Sequence, residues 1–137
     1  MWKFYAILSA IFAALTAILV KIGIKGIDSN LATAIRTTVV LLLTWGIVLS
    51  MGSANQIKSL SKFNIWFLVL SGLATGLSWI FYFKALQLGE VSKVAPIDKL
   101  SVALTIILSI FLLHEPAEPK VIIGGFLIVI GSVVILF

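Results

Sequence analysis

The sequence predicts an all-α polytopic membrane protein with five transmembrane helices. Three observations predict it. Of 137 residues, 61% are hydrophobic and the mean hydropathy is +1.23, well beyond what a soluble domain of this size uses. The apolar residues fall into five continuous runs, near 4–20, 31–51, 64–88, 93–113 and 121–137, each about the length of a bilayer-crossing helix. Finally, the runs do not alternate apolar with polar residues, which excludes a spanning β-barrel.

The first run is bracketed by Lys3 and Lys21 and reads as a span rather than a cleaved leader, because no small-residue cleavage site precedes a soluble domain. A short loop then offers Asp28, Ser29 and Asn30 as helix N-caps. The second run carries Arg36 about two turns in, roughly 10 Å deep, which is within the reach of a snorkelling side chain. A polar loop, GSANQIKSLSKF, leads to the third run, where Lys62 and Trp66 suit the interface. Gly72 and Gly76 form a small-xxx-small pair that would let another helix approach closely. Trp79 and Phe83 share their face at helical spacing, with Tyr82 beside them, and Lys84 lies near the far end. Gly89 is expected to stop this helix as a C′ residue.

The fourth run, KVAPIDKLSVALTIILSIFLL, is the most informative. It keeps Pro96, Asp98 and Lys99 inside a spanning segment. On insertion scales a mid-membrane Lys or Asp costs about 2.5–3.5 kcal/mol, against about 0.3–0.6 returned by each Leu, Ile, Phe or Val. The segment therefore inserts with little to spare, and its charges read as functional. Either Ser92 caps the helix and Pro96 sits in its first turn, or the helix starts earlier and Pro96 kinks it, freeing the Ser92 carbonyl. Asp98 and Lys99 are neighbours, about 100° apart on a continuous helix and poorly placed to pair, so Arg36 is the expected partner of Asp98. His114, Glu115 and Glu118 read as loop residues. In the fifth run Gly124, Gly125 and Gly131 mark a helix-packing seam, and no charge follows Lys120, so it reads as scaffold or subunit contact.

Composition narrows the function. One His, no Cys, no H-E-x-x-H and no Walker-type loop leave no metal site, cofactor, membrane enzyme or nucleotide-driven pump to propose. Ten Lys and Arg against five acids give +5, which suits anionic lipid headgroups in the cell membrane. The bases are scattered between apolar runs, so nucleic acid is not a partner. Lys3, Lys58, Lys62 and Lys120 fall on one side, and Lys21, Lys25, Lys84 and Lys93 on the other. This even split sets no orientation and leaves room for copies inserted both ways.

Arg36, the run SGLATGLSWIFYFKALQLGEVSKVAPIDKLSVALTIILSIFLLHEP and the close GGFLIVIGSVVI together resemble the EamA-type domain of the drug/metabolite transporter superfamily over essentially the whole chain. The single-domain, five-helix subgroup is nearest, with its PIDKLS segment and Glu115 after the fourth run. The resemblance implies a substrate cavity lined by the first four helices and a peripheral fifth. It also implies that this chain is half of a ten-helix inverted-repeat transporter, which puts a homodimer, parallel or antiparallel, in the foreground. Small multidrug resistance relatives use a carboxylate in the first helix, and here that helix has none. Arg36, Asp98 and Lys99 sum to about +1 if all are charged, which favours an anionic or zwitterionic small molecule over a hydrophobic cation. The expectation is thus a secondary transporter using Asp98, Lys99, Arg36, Pro96, Trp79 and Tyr82, with Asp98 carrying any proton coupling. The alternative is a non-transporting interaction protein, such as a half-transporter or flippase accessory subunit.

Overall fold

The computed structural model describes residues 1–137 and is helical throughout. The helices are α1 (Trp2–Gly23), α2 (Ser29–Ser50), α3 (Lys62–Leu88), α4 (Val91–Asp98), α5 (Leu100–Leu112) and α6 (Pro119–Leu136), with a short 3₁₀ helix at Ser53–Ser59. Five segments are long and apolar enough to span a membrane, α4 and α5 forming one of them together. The five spans expected from the sequence are therefore present, and the chain is an integral membrane protein. Their faces carry large exposed apolar side chains, such as Phe12, Leu42, Phe81 and Phe126, which suits lipid as the solvent.

Local chemistry sets the ends. The Asp28 carboxylate accepts from the amides of Asn30 (2.9 Å) and Leu31 (3.2 Å), capping α2 where the helix dipole favours an anion. Gly52, at φ +69°, takes the left-handed turn that closes α2. Gly89 ends α3 without that turn, because Glu90 already stands extended as the N-cap of α4. Ser92 is thus inside α4 and does not cap it. Pro119 opens α6 at a position whose N–H would have no helical partner.

Two compact units emerge. One comprises Met1–Ile18 with Leu88–Phe137, and the other Leu19–Gln87. In the first, α6 packs against both α4 and α5, with Gly125 and Ser132 buried. In the second, Ile24, Ser29, Thr33, Phe83 and Leu86 are buried where the end of α1, the start of α2 and the end of α3 converge.

Candidate functional site

Within the unit Leu19–Gln87, Arg36 is the organising side chain. It projects from α2 onto α3, its guanidinium carbon 4.1 Å from the Trp79 ring centroid and 5.4 Å from that of Phe83. Trp79 and Phe83 are four residues apart, so α3 presents them one above the other. Phe83 is only 1% exposed, which fixes the lower face of this platform. The Tyr82 phenol is close enough to interact electrostatically with the same guanidinium. Arg36 itself is half-buried, and the one acid of its unit, Asp28, is engaged at the start of α2. Stacking uses the flat face of a guanidinium and leaves its N–H edge for an anion.

Arg36 and its rings bring α2 and α3 into side-chain contact. A Cβ on Gly72 or Gly76 would meet no atom within 4 Å. Gly76 instead lines a groove of about 350 Å³ with Asn30, Thr33, Thr37 and Thr38. The three threonine hydroxyls donate to carbonyls four residues back, at 2.8, 2.7 and 3.0 Å, and their lone pairs remain as acceptors.

At the end of this unit, Lys21 Nζ donates to the Leu86 carbonyl (2.6 Å), and Gln87 Nε2 donates to the Ile27 carbonyl (2.9 Å). A cation on the last carbonyls of a helix satisfies an orphan acceptor and the dipole together. As one more lysine flanking an apolar run, Lys21 gave no sequence signal of this role.

Within the other unit, Lys99 Nζ lies 3.2 Å from Asp98 Oδ2, so the two neighbours pair with each other although their spacing made them poor partners. The 100° separation concerns the directions in which the two side chains leave the backbone, and the long lysine stem folds back across it; Lys99, at ψ −7°, is the C-cap of α4 before α5 begins. Pro96 lies inside α4 and has no N–H for the Ser92 carbonyl. Its own carbonyl accepts from the Lys99 amide (3.0 Å) and from Ser132 Oγ of α6 (2.9 Å).

Among the α6 glycines only Gly125 is tightly packed: a Cβ there would come 2.8 Å from Ile106 Cδ1, while Gly124 and Gly131 meet nothing within 4 Å.

Residues 1–137 match the EamA-like transporter family. A protein of Sinorhizobium sp described as "Uncharacterized transporter in cobO 3'region" is 46% identical over 114 residues, covering 83% of this chain and 81% of that protein. No solved structure matches the chain.

Proposed function

This chain belongs to the EamA-like transporter family, and on that premise we propose that it carries a small anionic or zwitterionic metabolite across the cell membrane. Family and relative both point to a membrane transporter rather than an enzyme.

One observation carries the choice of substrate class. Arg36 is a half-buried cation within a membrane span whose face is covered by Trp79, and Asp28, the one acid of its own unit, is taken up by the cap of α2. An aromatic face attracts a cation but does not neutralise it. A carboxylate or phosphate reaching the guanidinium edge would do so, through bidentate charge-assisted bonds. The acceptor-rich groove lined by Thr33, Thr37 and Thr38 would suit donors on the rest of such a solute.

Asp98 is the only acid within a span and is paired with a base in the same segment. We assign it the coupling role: protonation would release Lys99 and change the charge at the helix break. A single five-span domain supplies one half of an inverted-repeat architecture, so alternating access in this reading needs a second copy. The open faces around Gly72, Gly124 and Gly131 leave room for it.

The test is uptake by the purified protein in proteoliposomes, comparing organic anions, zwitterions and a quaternary ammonium compound of similar size. Anions or zwitterions are expected to be preferred. A strong preference for the quaternary cation overturns the assignment.

A further inference from the structure

We infer that Ser132, on the last helix, is a positioning residue for the Asp98–Lys99 pair, so that α6 sets the geometry of the charged break rather than serving as inert scaffold. The functional half of this inference rests on the coupling role proposed for Asp98.

The first observation is an exception. A serine or threonine in a spanning helix ordinarily bonds back to its own helix. Thr33, Thr37, Thr38, Thr44, Thr75, Thr105 and Ser109 all do so, to carbonyls three or four residues earlier. Ser132 does not. It is 3% exposed, and its hydroxyl crosses 36 residues of sequence to the Pro96 carbonyl, at 2.9 Å.

The second observation is what that carbonyl does. It also accepts the Lys99 amide at 3.0 Å, the bond that closes α4 at the break. A carbonyl has two lone pairs, and here one holds the break and the other anchors it to α6. Ile97, Asp98 and Lys99 are the next three residues. Gly125, two turns before Ser132 on the same face of α6, gives the second point of contact, on α5 through Ile106. The two contacts therefore straddle the break, one on each side of it.

The surroundings make the pair a clean reporter. On α4, Glu90 and Lys93 pair with each other at 3.3 Å. Neither α5 nor the span of α6 beyond Lys120 contains a titratable side chain. A change in the Asp98 environment after substitution on α6 thus reads the distance and orientation of Lys99.

Asp28 and Asp98 are the only aspartates in the chain, so ¹³C-aspartate NMR of the reconstituted protein gives two carboxyl signals. Asp28→Asn, which keeps a good N-cap, assigns them. At fixed pH, Ser132→Ala is expected to shift and broaden the Asp98 signal. Ser132→Thr is expected to restore it. Ser132→Cys, close in volume but a weak donor, gives the same reading if the alanine variant assembles poorly. An Asp98 signal that stays put in both the alanine and cysteine variants overturns the positioning role. A signal that moves while proton-driven uptake is unchanged upholds the positioning and removes the coupling role of Asp98.

Discussion

Arg36 and the Asp98–Lys99 pair place charge inside spanning helices by opposite means. Each begins seven residues past the first residue of its helix, Ser29 to Arg36 in α2 and Val91 to Asp98 in α4, roughly 10 Å along the axis. Around Arg36 the helix is unbroken and the cation is held by rings. Around Asp98 the helix ends at the Lys99 C-cap, and the charge is held by its sequence neighbour. In the function proposed above, the first arrangement keeps its cation for an anionic solute and the second serves as the proton switch, and a binding head and a switch have different electrostatic requirements.

The largest effect that would break this contrast is at Arg36. Hydrogen bonds to a charged group contribute about 1.5–3 kcal/mol, so Arg36→Gln should lower uptake by roughly 10–100-fold. Arg36→Lys keeps the charge but not the planar fork and should fall between. Initial rates in proteoliposomes measure both, and wild-type rates in Arg36→Gln would leave no binding head to compare.

Asp98→Asn should act on driving force rather than on binding. Accumulation under an imposed proton gradient should fall to the level seen without one, while exchange of labelled for unlabelled substrate persists. Normal gradient-driven accumulation in this variant would show that the switch is not Asp98.

Trp79→Leu sharpens the contrast at smaller scale. A cation over an aromatic face contributes about 0.5–2 kcal/mol, so loss of the platform should raise KM roughly 2–30-fold, with kcat little changed. The same substitution should leave the proton dependence of uptake intact, because the ring belongs to the Arg36 arrangement alone.

Much of this was legible in the chain, and the exceptions share a cause. Continuous apolar runs and caps such as Asp28 are local signals, and they placed all five spans. Arg36, Trp79, Asp98 and Lys99 stood out because charge and large rings are conspicuous in oil. What the sequence did not disclose is which groups meet. Asp98 and Lys99 read as poor partners by spacing, yet the lysine stem brings its ammonium to the neighbouring carboxylate. Gly76 reads as a seam by spacing, yet a Cβ there would meet nothing within 4 Å, and the residue lines a groove. Ser132 and Lys21 are ordinary letters in ordinary contexts. Each donates to a distant carbonyl, 36 and 65 residues away.

Lys21 provides the smallest and cleanest of these tests. Its ammonium lies on the Leu86 carbonyl at the end of α3, three residues past Phe83, and so holds the helix end that carries the Arg36 platform. A cation at a helix C-terminus contributes about 0.3–1 kcal/mol, so Lys21→Met should lower the melting temperature by a few degrees. Lys21→Arg, which keeps the charge, should recover most of it. The rings at Trp79 and Phe83 are fixed mainly by burial of Phe83 and by Arg36 itself, so KM should stay within about twofold of wild type while stability falls. A KM that rises with the loss of stability, as far as it does in Trp79→Leu, would mean that the helix end and the aromatic platform act as one element, and that the binding head extends to the α1–α2 turn.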